Sequence, residues 1–486
     1  MIRQLHGQDS VFLHLDSPNA HMGVTVVYLY DQSNVPGGKL RFKDILKHID
    51  DRIAHSPQFR SKLDRVLFEL DNPYWVDDEH FDVEFHVRHV ALPKPGDWRQ
   101  LCIQIARFHA RPLDLNRPLW EMCVIEGLDN IEGIAKGSFA ICTKIHHAMI
   151  DGHSAIELTW NLHDETPVTQ ERPRASRQGR QVAPGLVGKM SRMLVNNIAE
   201  PMRLVKPLTR TLPKFSTVTS KHLWHQLTGN RDALPKTRFN GDISCHRVWE
   251  CTSFDLEDFK AIKSSYPGAT VNDVVLAVVA GGLRNYLAAK DELPAENLRA
   301  MAPINTRKES EHHTGGNQIS LFFPDLPTHL ADPIARLESV ANNAAEAKEL
   351  AYAIGAREMS DINKHAPPVT LALAGKLAMA TGMSKSVFAN IAHTAISNVP
   401  GPQKPLYLLG AKLVTLTGLA PIGDGMGLFH AITSYNKRLN IAITACREMM
   451  PDPEFYIACL RNSYEELRQA MAEVNATESL NRAATA

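Results

Sequence analysis

The sequence has no long apolar run, no net charge and no paired-cysteine motif, and each absence removes a class of protein. Its best hydrophobic stretch, Val274 to Leu283, is ten residues long and stops at Arg284. A membrane-spanning helix needs roughly twice that. The N-terminus, MIRQLHGQDS, lacks the apolar core of a secretory signal. A cytoplasmic location is therefore expected, with at most a peripheral place on the inner membrane or on lipid inclusions. Lys and Arg number 53, Asp and Glu also 53, so nothing in the overall charge marks a nucleic-acid binder. The seven cysteines, Cys102, Cys123, Cys142, Cys245, Cys251, Cys446 and Cys459, are odd in number and form no CxxC pair. They read as scattered, mostly buried thiols of a reducing compartment. What is present, 44% hydrophobic and 22% charged residues in a chain of 486, describes a globular protein of two or three domains.

Residues 1–171 alternate strand-like and helix-like segments, which predicts a mixed α/β domain. Met22 to Leu29 is rich in β-branched residues and predicts a strand. Ile45, Leu46, Ile49 and Ile53 recur at helical spacing within Phe42 to Ile53. A helix is expected around Leu101 to Phe108, then strands at Glu121 to Ile125 and Ser138 to Ile145. In the last strand Phe139, Ile141 and Ile145 share one face, Ala140 and Cys142 the other. After Asp151-Gly152 the spacing turns helical.

Between 172 and 238 the character changes, with fourteen Lys/Arg against only Glu200 and Asp232. The remainder of the chain carries the compensating negative charge. This crossover begins as a polar, Pro/Gly-containing linker. It continues as Leu186 to Thr211, where apolar and basic residues alternate at helical spacing and Pro201 interrupts. Such a segment suits either an anionic membrane surface or packing on the protein body. Residues 239–475 return to the α/β mixture. Thr270-Val-Asn-Asp273 predicts a capped helix start, and strands are expected near Leu298 to Ile304, Thr394 to Ser397, Lys412 to Leu416 and Leu439 to Ala445. Asp452-Pro453 opens a final helix, and residues 476–486 read as a frayed tail.

The chemistry concentrates in Lys144-Ile-His146-His147-Ala-Met-Ile-Asp151-Gly152, where a strand ends and a helix begins. A neutral imidazole can take a proton from a hydroxyl near pH 7, and Gly152 would let backbone approach a substrate closely. The same string also reads structurally, with Asp151 as a helix N-cap, Gly152 as a turn residue and two satisfied histidines. Two His and one Asp suit zinc or iron, but adjacent residues of a strand face opposite ways. No metal is expected.

HHAMIDG matches the HHxxxDG signature of the CoA-dependent acyltransferase superfamily. Pro118-Leu119-Trp120, Asn272-Asp273, Ser397-Asn398-Val399-Pro400-Gly401-Pro402, an opening DSVFLHLDSPNAHMGV and Met450-Pro-Asp-Pro453 narrow the likeness. Together they resemble the bacterial wax ester synthase/diacylglycerol acyltransferases over about residues 5 to 470.

The resemblance implies two chloramphenicol-acetyltransferase-like domains of mixed sheets flanked by helices, joined by the crossover, with an active-site tunnel between them. It implies transfer of a fatty acyl group from acyl-CoA, a substrate rather than a cofactor, to a long-chain alcohol and to diacylglycerol. His147 would be the general base, and Asp151 would form a structural ion pair, with Arg307 the candidate partner. His146, Asn272, Ser397 and Asn398 are candidate donors to the developing oxyanion. Trp120 reads as packing or as a substrate contact, and Val399, Pro400 and Gly401 as a rigid turn shaping the tunnel. The second pair, His312-His313 before Gly315-Gly316-Asn317, has no acid at a matching distance and reads as loop. Membrane or lipid-droplet contact would come through the basic crossover. Three other readings remain. One is a glycerolipid acyltransferase of the H-x₄-D type, which His146 and Asp151 also satisfy, although such enzymes usually carry membrane spans. A peptide-synthetase condensation domain would be followed by a carrier domain. The last is a non-catalytic lipid-binding scaffold on inclusions.

Overall fold

The computed structural model describes residues 3–66, 69–149, 152–170, 182–199, 234–305, 319–353 and 390–485. The first half begins with β1 (Arg3–Gln4), α1 (Gly7–His14), β2 (Gly23–Asp31) and α2 (Phe42–Ile53). β3 (Ser61–Asp64), β4 (Tyr74–Asp77), α3 (Val83–His86), β5 (Val87–Ala91) and α4 (Trp98–Ala110) follow. It closes with β6 (Trp120–Leu128), β7 (Ser138–His146) and α5 (Gly152–Leu162), and α6 (Leu186–Leu194) lies in the crossover. The second half runs β8 (Arg247–Asp255), α7 (Leu256–Ser265), α8 (Val271–Ala288), β9 (Leu298–Asn305), β10 (Ile319–Phe322) and β11 (Asp325–Leu326). Then come α9 (Pro333–Ala353), β12 (Thr394–Pro400), β13 (Tyr407–Leu408), β14 (Ala411–Leu419), β15 (Leu428–Tyr435), β16 (Arg438–Cys446) and α10 (Pro453–Thr485).

Two large sheets organise these elements. The second has the order β10-β9-β12-β15-β16-β8, with β12 parallel to both neighbours. The first has the order β13-β14-β2-β7-β6-β5. β13 and β14 come from the second half, and β14 pairs antiparallel with β2 from Lys412↔Asp31 to Leu419↔Thr25. Residue 239 is therefore not a clean boundary, because the expected strand near Lys412 crosses over to complete the first sheet.

The alternation in β7 explains why its sheet is covered on both faces. Phe139, Ile141 and Ile145 join the core formed with Ile45, Ile49, Leu158 and Leu162 of α2 and α5. Ala140 and Cys142 join a second core with Leu101, Cys102, Ile105 and Phe108 of α4. That core also takes in Trp249 and Cys251 of β8, Leu419 of β14 and Ala442 of β16. α4, started by an Asp97–Gln100 capping box, is thus wedged between the two halves. Each fully buried aliphatic side chain contributes about 1.5–3 kcal/mol, so the junction is a hydrophobic core rather than a wet seam. Polar ties cross it too: Trp98 Nε1 donates to Glu250 Oε1 at 2.5 Å, and Arg247 donates to the Asn19 carbonyl.

In the second half α8 begins at the expected cap. The Thr270 hydroxyl and the Asp273 carboxylate satisfy each other's backbone N–H groups. Every residue from Asp273 to Leu283 is buried, which accounts for a run too apolar for a surface helix. The final helix starts at Pro453 but continues to Thr485, so 476–485 is not a frayed tail. Its Glu, Leu, Arg and Ala residues favour helix, and no Gly or Pro stops it.

Three buried histidines stand in neutral hydrogen bonds. His109 Nδ1 lies 2.9 Å from Thr25 Oγ1, His163 Nε2 2.7 Å from Tyr30 Oη, and His430 Nε2 2.6 Å from Tyr456 Oη. Burial pushes their pKa values down to about 3, 4 and 3 respectively. An unfolded histidine titrates near 6.5, so below that pH the unfolded chain binds protons that the folded chain refuses. Stability contributed by these groups is complete above about pH 6.5 and is lost as pH falls toward 4. The urea midpoint should fall over that interval, and His430→Gln should reduce the slope. A midpoint flat from pH 7 to 4 would refute this.

Candidate active site

β7 runs between β2 and β6 near the middle of the first sheet, and all nine of its residues are buried. This strand gives the segment after it a fixed origin. The chain turns over 147–149, where His147 N–H donates to Met22 O at 2.8 Å and Met149 N–H to His146 O at 2.9 Å. His147 is half-buried. Its ring stacks on Phe12 of α1, with centroids 4.0 Å apart and planes inclined by 16°.

His146 meets a different set of neighbours. It is 2% exposed, with Nε2 3.1 Å from Asp16 Oδ2 and Nδ1 3.1 Å from Ala148 N. A backbone N–H only donates, so Nδ1 accepts and Nε2 carries the proton shared with Asp16. Both ring nitrogens are committed, which removes His146 from the candidate oxyanion donors. Asp16 Oδ1 also accepts from Met22 N–H at 2.6 Å. One carboxylate therefore ties the 16–22 loop to the turn that carries both histidines. Asp16→Ala should lower kcat by roughly 10- to 100-fold, the scale of a small misplacement of a catalytic group. KM should change little, and Asp16→Asn, which keeps one acceptor oxygen, should recover part of the rate. Unchanged turnover in CoA-release kinetics would show that the turn holds without Asp16.

Lys144 anchors the same strand from below. Its Nζ donates to the Phe108 and Arg111 carbonyls at 3.0 and 2.9 Å. Burial lowers its pKa to about 8 despite Glu121 Oε2 at 3.7 Å. His21 is held below its usual range by burial, with Arg247, Lys144 and His146 adding to the effect against Asp16. Sequence reasoning gave none of Phe12, Asp16 or Lys144 a role. Phe12 and Asp16 lie within the DSVFLHLDSPNAHMGV opening, and Lys144 begins the motif string.

Residues 5–275 match the wax ester synthase/diacylglycerol acyltransferase catalytic domain, and residues 315–468 match the C-terminal domain of the same proteins. The chain belongs to the wax ester synthase/diacylglycerol acyltransferase family. An O-acyltransferase of Acinetobacter baylyi is 33% identical, covering 93% of this chain and 93% of that protein. A Mycobacterium tuberculosis protein named as a diacylglycerol O-acyltransferase is 32% identical, covering 93% of this chain and 87% of that protein. Among solved structures, the wax ester synthase/diacylglycerol acyltransferase of Marinobacter aquaeolei VT8 is 26% identical with a TM-score of 0.69. The match covers 97% of this chain and 100% of that one. The protein is accordingly an O-acyltransferase of two mixed α/β halves.

Against that family pattern, the remaining candidates fall on separate elements. Gly152 opens α5, which is fixed to the sheet by Tyr28 Oη–Thr159 Oγ1 at 3.0 Å, with the Tyr30–His163 bond just beyond its last residue. Asp151 and Arg307, and the pair His312-His313, lie outside the described residues. Asn272 is half-buried in the first turn of α8, behind the Thr270–Asp273 cap. Ser397, Asn398 and Val399 are half-buried in β12. This strand extends to Pro400, paired with β15 as far as Pro400↔Ser434, so Val399-Pro400 is strand rather than turn. A Cβ on Gly401 would stand 2.5 Å from Ser434 O and 2.8 Å from Leu416 Cδ2 of β14. Only glycine fits where β12 meets the strand that serves the other sheet.

Trp120 is packing, not a substrate contact. It is fully buried, stacks on His86 at 4.6 Å and donates Nε1–H to Phe59 O at 2.8 Å. Among the described residues no group of His, Cys, Asp and Glu could hold a metal ion, and no helix is long and apolar enough to cross a membrane.

Proposed function

We propose that the protein transfers a long-chain fatty acyl group directly from acyl-CoA to a hydroxyl, with His147 as general base. The acceptors are a long-chain fatty alcohol, giving a wax ester, and diacylglycerol, giving triacylglycerol. The observation that carries this reading is the placement of His147, the motif's second histidine, half-buried and stacked at the end of the buried strand β7. The names of the Acinetobacter and Mycobacterium relatives support the reaction class.

In the transfer, the imidazole takes the acceptor's hydroxyl proton while its oxygen attacks the thioester carbonyl. The carbon–oxygen bond forms, the carbon–sulfur bond breaks, and the proton passes from the imidazolium to the departing CoA sulfur. An alcohol is too weak an acid to ionise beforehand, so proton removal accompanies attack. No acyl-enzyme is needed, and the chain has no GxSxG elbow. Asn272 and the Ser397–Asn398 pair are the proposed donors to the oxyanion. Asp151 is proposed to pair with Arg307, and the crossover to meet a membrane or lipid-droplet surface, where both acceptors reside.

The test is CoA release by purified protein from palmitoyl-CoA, with hexadecanol or a diacylglycerol as acceptor. Acceptor-dependent release is expected, and the two rates rank the acceptors. Release that ignores the acceptor, or none with either, overturns the proposal in favour of a lipid-binding scaffold.

A further inference from the structure

Residues 16–22, between α1 and β2, touch both halves of the molecule. At its base this loop holds the histidine turn from two sides. Asp16 Oδ2 lies 3.1 Å from His146 Nε2, and Met22 O accepts from His147 N–H at 2.8 Å. The loop is also closed on itself. Asp16 Oδ1 accepts from Met22 N–H at 2.6 Å, and Ser17 and Ala20 exchange backbone hydrogen bonds at 2.8 and 3.2 Å. Ser17 Oγ accepts from Ala20 N–H as well, at 3.0 Å. A loop bonded this often moves as one piece, so a shift at its tip reaches the histidines.

The tip belongs to the other half. Ala20 is buried in the core built by α8, β16 and α10, and Met22 packs against the same core. Beside it Arg247, the first residue of β8, donates from Nη2 to Asn19 O. The same guanidinium is rooted in its own half, where Nη1 donates to Ser244 O at 2.5 Å and to His246 O at 3.2 Å. It therefore spans a fixed gap between two stretches of backbone, a task for a rigid fork of N–H donors.

We propose that Arg247 is a positioning residue for acyl transfer, setting the place of the His146–His147 turn through Asn19 O and the 16–22 loop. His147 stands on the first half, and the proposed oxyanion donors Asn272, Ser397 and Asn398 stand on α8 and β12 of the second. All must converge on one thioester carbonyl, so their separation is a property of the junction. A misplacement of about 1 Å costs on the order of 10²-fold in rate. The apolar core around α4 holds the halves together, but hydrophobic attraction has no direction. The Arg247 bonds fix an angle and a distance. The inference rests on the reading of His147 as base, and it adds a residue exactly one hundred positions beyond that histidine (247 − 147).

The experiment compares full-length Arg247→Met, Arg247→Lys, Asp16→Ala and the double variant Asp16→Ala/Arg247→Met, beside His147→Ala. Each is assayed for CoA release from palmitoyl-CoA with hexadecanol, and its melting is followed. Arg247→Met should lower kcat by about 10- to 100-fold, with KM for palmitoyl-CoA nearly unchanged. Arg247→Lys keeps the charge and a donor for Asn19 O, and should recover part of the rate. Arg247 and Asp16 grip opposite ends of one loop. The double variant should therefore turn over within about three-fold of the slower single variant.

Losses that multiply in the double variant would overturn the proposal, because they would mean that the two residues act independently. So would a raised KM at unchanged kcat, which would make Arg247 a substrate contact. A fall in kcat matched in both Arg247 variants by the fraction unfolded at the assay temperature would leave it only a structural role. Wild-type turnover by Arg247→Met beside an inactive His147→Ala sinks this inference alone. Wild-type turnover by His147→Ala removes the base reading, and this inference with it.

Discussion

His147→Ala is expected to lower kcat for acyl transfer by about 10²–10⁴-fold, the range for removal of a positioned general base, while KM for acyl-CoA should stay nearly unchanged. The fold should survive the change. His147 is half-buried, and its backbone N–H bond to Met22 persists in any residue but proline, although its ring gives up the Phe12 stack. Melting close to wild type would therefore accompany the catalytic loss. His146→Ala should behave differently, because it deletes a buried ring bonded to Asp16 and Ala148. Stability and kcat should fall together. Comparable turnover by His147→Ala and wild type would assign the proton to another group, or return the scaffold reading if neither protein releases CoA.

Asp164→Ala is expected to cost about 3–5 kcal/mol of folding stability, the penalty for stranding one member of a buried ion pair. Arg52 Nη2 stands 2.7 Å from both carboxylate oxygens of Asp164, and the two side chains are 4% and 2% exposed. The only other described acceptor for Arg52 is the Gln170 carbonyl at 3.3 Å, too little for a guanidinium taken out of water. The site is also a junction, because the Asp164 backbone exchanges hydrogen bonds with Tyr407 at 2.9 and 2.8 Å. A loss of this size is a large fraction of the roughly 5–15 kcal/mol that holds a domain together. Urea denaturation measures it, and Arg52→Met combined with Asp164→Leu should restore most of the loss. A single-variant cost below about 1 kcal/mol would mean that water reaches the pair.

Local signals were legible where neighbours in sequence settle the structure. The apolar spacing placed α2 over Phe42–Ile53, and Thr270–Asp273 marked the start of α8. Alternation in β7 separated Phe139, Ile141 and Ile145 from Ala140 and Cys142, and the two sets enter different cores. The motif histidines and the family were legible for the same reason. What stayed hidden depends on distant partners. Asp16 and His146 are 130 residues apart, and nothing local in either segment announces the bond. Trp120 carries the composition of a ligand contact, but its surroundings of His86, Phe59 and Phe81 form only when α3, the segment before β3 and β6 pack together. A strand pattern at Lys412 to Leu416 shows a strand without saying which sheet it joins.

That exchanged strand also sets a clock for the newborn chain. β2 receives its second neighbour only when Lys412 and the residues after it exist to meet Asp31 and those before it. The two positions are 381 residues apart (412 − 31), a gap that synthesis at about 5–20 residues per second takes roughly 20–80 s to cross. Through that interval the row of N–H and C=O groups on one side of β2 faces water with no strand against it, an invitation to pair with other chains. The histidine turn hangs from the neighbouring strand of the same unfinished sheet. The turn that carries both histidines therefore belongs to a sheet completed only once residue 419 has been made, and its half-made form is the one that cells must shelter.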